Sequence, residues 1–563
     1  MEKVGALALG VVVLFAATTA AVGLMHRSQA DSSDTSDRLS SSPEAPAIAV
    51  SPSDLAKQPA KLNGRSPIGV NLNGIADWSP QWPFVDMFKT SRTWIPQRKG
   101  ADWGQGGTLK LTPDGWVASL EPGQWAETVM MIDNTHFPAG KYTLLYEGDG
   151  KLGFAFDNAR IVTQSPGRMV VDVTPDGAGV FLQILATNPA NPIRNIRFIM
   201  PGFEQTYRSQ PFHPLFLKRL AQFKALRFMD WGATNNSEVR EWRDRSTPKS
   251  PTQASEKGVA LEYMIQLANT LKIDPWFTIP AQASDDYVRQ FAILVRDRLD
   301  PSLKAHVEYS NEVWNTIFSQ SKYAIEQGRR RNLDENDYTT LLRYYSERSV
   351  EIFQIVDWVF GAQRPKRIVR ILAGQAENPW TAEQIMGWKD AYRHADAYAI
   401  APYFDGIDQD KNGESDLNDP NNANTTLKLT PEQVVEKLQA SIKTDVRTMF
   451  DKNYQVAKQF GLPLFAYEGG PHLTTHQFPN DKEPRLTQLF AAANRHPRMR
   501  TVYREYLTEW QRSGGQLFNQ FVDVANNSKW GFWGAMEYQN QDIQAAPKYQ
   551  GLLDFIQGNA DAF

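Results

Sequence analysis

Val307-Glu308-Tyr309-Ser310-Asn311-Glu312-Val313-Trp314-Asn315 begins as a short strand of β-branched and aromatic residues and breaks off at Asn-Glu. The apolar run 462–466 ends in the same way, at Tyr467-Glu468-Gly469-Gly470. Working outward from these two stretches, short apolar runs recur at 68–72, 226–229, 275–279, 306–309, 367–372, 397–401, 462–466 and 516–522. Between them lie helical patterns at 213–223, 256–271, 285–299, 316–330, 335–359, 431–460 and 486–512. Eight strands alternating with helices predict an α/β fold, a (β/α)8 TIM barrel.

One stretch breaks the alternation. From 108 to 201 the chain offers short β-rich runs at 108–111, 116–119, 127–132, 141–147, 152–156, 169–173, 181–186 and 193–200. Turn signals separate them, among them Pro113-Asp114-Gly115, Gly148-Asp149-Gly150 and Pro175-Asp176-Gly177. This is the pattern of an all-β sandwich. The expected organisation is a barrel over 64–107 and 202–563 with a sandwich, similar to a carbohydrate-binding module, inserted over 108–201 after the first barrel strand. Trp116 and Trp125 are its candidate sugar-stacking aromatics, or else part of its core.

The 563 residues leave room for both units, and 60 basic against 63 acidic residues give a net charge of -3, with no electrostatic footprint for nucleic acid. With no cysteine, neither a disulfide framework nor a thiolate metal site is available. Residues 4–25 carry no charge, which suits an exported protein whose segment 1–27 is a signal peptide or an uncleaved membrane anchor. The expected location is periplasmic or extracellular, with a disordered linker over 28–63 rich in Ser, Asp, Ala and Pro.

In a barrel, residues just past the strands reach the C-terminal mouth, where active sites of this architecture sit. Glu312 follows the fourth strand and Glu468 ends the seventh. Cleavage of a glycosidic bond with retention needs one carboxyl group as acid/base and a second as nucleophile, ~5–5.5 Å apart, and two strands can hold that gap. Either glutamate alone could be a solvated loop residue or half of an ion pair; their joint placement is what points to chemistry.

Asn311-Glu312 after strand four and Glu468 at the end of strand seven resemble the signature of clan A glycoside hydrolases, the retaining barrels that include many cellulases, mannanases, xylanases and β-galactosidases. The resemblance spans 68–72 and then 205 onward, and it is specific to the clan rather than to a family within it. Val313 stands where many members have proline. The resemblance implies Glu312 as acid/base, Glu468 as nucleophile and Asn311 as the partner of the sugar 2-hydroxyl. It also implies that Arg227, on strand two, keeps the nucleophile ionised and that Tyr403, after strand six, donates to it. An outward-pointing Arg227 and a purely structural Tyr403 are the alternatives. Trp533, preferred over Trp530, resembles the floor under the reacting sugar, with core packing as the alternative. Asp230, Trp231, Asn235 and His472 are further candidate sugar contacts at strand exits.

A separate signal follows strand six. Asp408, Asp410, Asn412, Asp416 and Asp419 occupy positions 1, 3, 5, 9 and 12 of an EF-hand-type spacing with Gly413 at position 6, similar to dockerin-type calcium loops. The alternative is an ordinary Asn/Asp-rich turn. A structural Ca2+ is therefore an expectation, whereas the glycosidic chemistry itself requires no cofactor. There is no His-Glu-x-x-His, Walker loop or Gly-x-Ser-x-Gly elbow. The expected partner is a β-linked polysaccharide, hydrolysed or transglycosylated. The rival is a non-catalytic polysaccharide-binding protein whose barrel is an inert scaffold, against which the presence of both glutamates and Asn311 counts.

Overall fold

A computed structural model describes residues 66–132, 135–406 and 416–558. Eight parallel strands close a barrel: Ile68–Asn71, Ala225–Arg227, Asp274–Ile279, Ala305–Tyr309, Ile368–Ala373, Ala397–Ile400, Leu464–Ala466 and Gly515–Gln520. The ring is sealed by Ile68 pairing with Phe518. Strands buried on both faces read as continuous apolar runs, and the first and fourth strands are buried at every position.

Helices pack outside the ring, and their ends follow local chemistry. Ser284 caps Asp285–Arg298 by accepting from the Tyr287 amide, and acidic Asp285 and Asp286 in the first turn suit the helix dipole. Thr430 caps Pro431–Ser441 in a capping box with Gln433. Two expected helices prove to be composite. The 431–460 stretch contains a π-helical turn, Ile442–Val446, and the 486–512 stretch divides at His496-Pro497 into Glu483–Arg495 and Met499–Arg512.

Between the first and second barrel strands the chain forms two four-stranded antiparallel sheets. One orders Ile95–Arg98, Gln124–Ile132, Ala178–Thr187 and Gly150–Phe154; the other orders Arg194–Ile199, Gly140–Glu147, Arg168–Val173 and Ala159–Ser165. Both contribute to one apolar cluster, with Met130, Leu182 and Ile184 from the first and Leu144, Val171 and Phe198 from the second. The first of these strands begins at Ile95, earlier than the expected boundary at 108. Trp116 belongs to the shared core, stacked on Phe88 at 5.9 Å, and offers nothing to a ligand.

The apolar run 4–25, the linker 28–63 and the loop residues Asp408, Asp410 and Asn412 lie outside the described residues. Among the described residues no helix is long and apolar enough to cross a membrane.

Candidate active site

Cross-strand register builds the floor of the site. Asn71 pairs with Arg227 and Arg227 with Trp276, so three polar side chains from three strands meet at one level. Arg227 is completely buried and splits its guanidinium between two carboxylates. Its Nε and Nη2 donate to Glu308 at 3.1 Å each, and its Nη1 donates to Glu468 at 2.7 Å. It also donates to Asn71 Oδ1 at 3.0 Å and Asn311 Oδ1 at 2.8 Å. Trp276 Nε1 donates to Glu308 at 2.7 Å. A buried cation needs this degree of ligation to be tolerated.

Glu468 leaves the seventh strand directly above Arg227 and accepts from the Tyr403 hydroxyl at 3.0 Å. Burial pushes its carboxyl up, while Arg227 and Tyr403 pull it back toward ionisation. Glu312 lies in a different environment. It accepts from the Tyr467 hydroxyl at 3.2 Å and from Asn315 Nδ2 at 3.0 Å. Burial and then the Glu468 charge push it up to about 8. Burial raises both carboxyl groups, but at Glu468 a cation and the Tyr403 hydroxyl oppose it, whereas at Glu312 the Glu468 charge adds to it, so Glu312 is the one favoured as the acid.

The backbone carrying Glu312 is strained. Ser310 and Glu312 both adopt left-handed conformations, φ 58 and 41, in a chain of L-residues. Such positions cost about 1–3 kcal/mol each and are found where function over-determines geometry. Asn311 between them is locked: its Nδ2 donates to Asn235 at 3.1 Å, and Gln320 Nε2 donates to its carbonyl at 2.8 Å.

Aromatic rings and histidine form the wall on the Glu468 side. Trp533 is half-buried and sits 5.6 Å from Tyr403 and 5.2 Å from His472, ring centre to ring centre. Burial depresses His472 to about 4, so its imidazole is neutral near pH 7. Trp530 is 45% exposed and stacks on His476 at 5.1 Å, outside this group. Asp230 is half-buried and pushed up to about 7 by burial and by the Glu468 charge. Asp523, at the strand-eight exit, accepts from the Asn73 amide at 3.0 Å and from the side chain of Gln81, and burial pushes it up to about 7.

Trp231 departs from expectation. It is 0% exposed and packs among Phe84, Phe216 and Phe228 in the layer between barrel and helix, so it is a core residue and not a sugar contact. Of the calcium candidates that are described, Asp416 accepts from the Asn418 amide at 2.7 Å and Asp419 from the Asn421 amide at 2.8 Å. Among the described residues no cluster of His, Asp and Glu could hold a metal ion.

Three residues at the centre escaped the sequence: Glu308, Tyr467 and Trp276. A carboxylate between Val307 and Tyr309 in a fully buried parallel strand demands a buried cation, and Arg227 was the candidate. Tyr467 precedes the nucleophile candidate directly, yet its hydroxyl serves Glu312 instead.

No family model matches the chain, and no curated protein does. Among solved structures, the chain is similar to the CBM22-1–GH10 modules of the Clostridium thermocellum endo-1,4-β-D-xylanase 10B, at 10% identity and TM-score 0.35, over 85% of this chain and 98% of that one. It is also similar to xylanase 10B from Thermotoga maritima, at 9% identity and TM-score 0.33, over 62% and 90%. A third likeness is to the endo-β-1,4-mannanase of Thermotoga petrophila, at 13% identity and TM-score 0.30, over 61% and 73%. Likenesses this distant leave the family unassigned.

Proposed function

We propose that this chain is a retaining hydrolase of a β-linked polysaccharide, or a transglycosylase on the same class of substrate. The observation that carries the proposal is the unequal settings of the two buried glutamates: Glu468 ion-paired to Arg227, and Glu312, with no cation against it among the described residues, pushed up to about 8. In the first step Glu468 attacks the anomeric carbon while Glu312 gives its proton to the departing glycosidic oxygen. In the second, Glu312 takes a proton from water or from an acceptor sugar hydroxyl, whose oxygen displaces Glu468. The test is incubation with β-glucans, mannans, xylans and bacterial exopolysaccharides, following reducing-end release and product length. Shorter products indicate hydrolysis, longer ones transfer; an unchanged length distribution on every polysaccharide contradicts both.

The state of Glu312 predicts two pH effects. The first step needs its proton, so kcat/KM on the polysaccharide falls as pH rises through about 8. Stability follows the same group. Below 4.5 both the folded and unfolded carboxyl groups are protonated; between 4.5 and about 8 only the folded one is, and above that neither. The folded state binds the extra proton within that window, so stability declines as pH rises across it. Glu312→Gln flattens that decline, measured as Tm against pH; an unaltered slope contradicts the assignment.

Three further elements belong to this reading. The two sheets between barrel strands one and two are read as an accessory module that folds as a unit, supported by their shared apolar cluster. The apolar run 4–25 is read as the export signal or membrane anchor of an enzyme that meets its substrate outside the cytoplasm. Calcium at the 408–419 spacing would be held by Asp408, Asp410, Asn412, Asp416 and Asp419; burial raises the Asp416 carboxyl, a cost that a cation relieves. Millimolar calcium then raises Tm, a chelator lowers it, and Asp408→Ala/Asp410→Ala removes the difference. A Tm indifferent to both contradicts the metal.

A further inference from the structure

The sheet containing Gln124–Ile132 and Ala178–Thr187 sends Ala126, Met130, Leu182 and Ile184 into the shared apolar cluster. Side chains alternate along a strand, so Trp125, Glu127, Phe181 and Gln183 lie on the opposite face. Register places Glu127 beside Gln183, and Trp125 beside Gln97.

Glu127 is the unusual member of this row. The residue is 5% exposed, and what surrounds its carboxylate is a set of neutral donors. Gln97 Nε2 donates at 3.1 Å, Gln183 Nε2 at 2.7 Å and Trp103 Nε1 at 3.1 Å. Gln97 in turn accepts from the Gly104 amide at 3.1 Å. The loop carrying Trp103 is laid tightly on the strand, since a Cβ at Gly106 would fall 2.3 Å from the Gln97 backbone. The result is an indole whose polar edge is fixed while its ring remains 47% exposed.

Taking a carboxylate out of water costs several kcal/mol unless it is well ligated, and an exposed ring returns little hydrophobic stabilisation. Glu127 is well ligated, so what fold stability does not call for is the exposed Trp103 ring that it anchors. A second exposed ring shares the face: Phe156, 55% exposed, stands edge-on to Phe181 at 5.1 Å, with Gln183 two residues further along that strand. Rigid aromatic faces separated by an amide suit a ligand with C–H faces and hydroxyl edges, which is the chemistry of a pyranose chain. An anionic or cationic partner would require charge that these side chains do not present.

We propose that Trp103, Gln183 and Phe156 form a glycan-binding face on this sheet, separate from the barrel mouth, that holds a β-linked polysaccharide chain. The ligand class is that of the proposed activity, but the site shares no residue with the carboxylate pair. Binding is measured on the full-length Glu468→Gln chain, by affinity electrophoresis through gels containing β-glucan, xylan, mannan or a bacterial exopolysaccharide. At least one polysaccharide retards the protein, Trp103→Ala raises Kd about 10-fold or more, and Trp103→Tyr recovers part of it. Trp103→Ala also takes one of three donors from the buried Glu127, so its Tm falls modestly, and binding is compared at a temperature where parent and variants are all fully folded. Four results overturn the proposal: no retardation by any polysaccharide; parental binding by Trp103→Ala; loss of binding with Trp533→Ala alone, which puts the chain in the barrel mouth; or a dimer abolished by Trp103→Ala, which gives the face to a second copy. Since the chain tested does not turn over, the outcome is read independently of whether the glutamates are catalytic.

Discussion

Replacing Glu468 by Gln lowers kcat on the natural polysaccharide by at least about 10^4-fold, because an amide cannot form the glycosyl ester. Glu312→Ala behaves differently. On the polysaccharide it costs about 10^2–10^4-fold, the range for loss of general acid–base catalysis. With an activated aryl leaving group the first step survives, and azide restores turnover by occupying the space beside the glycosyl-enzyme, giving a glycosyl azide of retained configuration. The contrast follows from the two environments: Arg227 and Tyr403 oppose the effect of burial on Glu468, whereas the donors to Glu312 among the described residues, Tyr467 and Asn315, are neutral. Wild-type rates for both variants on the polysaccharide would remove the assignment.

Arg227→Met is expected to destabilise the fold by about 3–5 kcal/mol, the cost of leaving a buried ion pair without one partner. Here two partners are stranded, since Glu308 and Glu468 are both 1% exposed or less at the side chain and share the one guanidinium. Any activity that remains has its acidic limb displaced to higher pH, because Glu468 loses the cation that favours its ionised form. Glu308→Gln predicts the opposite displacement. It retains an acceptor for Trp276 and Arg227 but removes the carboxylate that competes for the guanidinium, so Glu468 ionises at lower pH and the limb moves down. Chemical denaturation and pH–rate profiles of both variants decide this. An Arg227→Met protein as stable as wild type, or displacement of both variants in one direction, contradicts the shared-cation account.

Most of the barrel was legible because each strand is a short apolar run set between amphipathic helices, and period alone separates the two. What was hidden had weak periodic signal. Ala159–Ser165 is exposed at six of its seven positions, so it lacks the apolar alternation that marks a strand. Ile95–Arg98 contains Pro96, which weakens its strand signal; as the edge of its sheet it can accommodate a proline. The two catalytic candidates stood out because they interrupt apolar runs at strand ends. Glu308 did not, because its importance depends on which side chains lie across the barrel from it, and that is fixed by closure of the ring. Tryptophan was equally ambiguous in sequence: Trp231 and Trp533 both follow strand exits, yet one packs under a helix and the other faces Tyr403 and His472.

The most direct test of the central claim is the anomeric configuration of the first-formed product, followed by 1H NMR during cleavage of whichever β-linked polysaccharide is turned over. Double displacement through Glu468 predicts that the β-anomer appears first and then mutarotates to the equilibrium mixture. First appearance of the α-anomer would mean inversion by a single displacement, and would contradict the assignment of Glu468 as nucleophile.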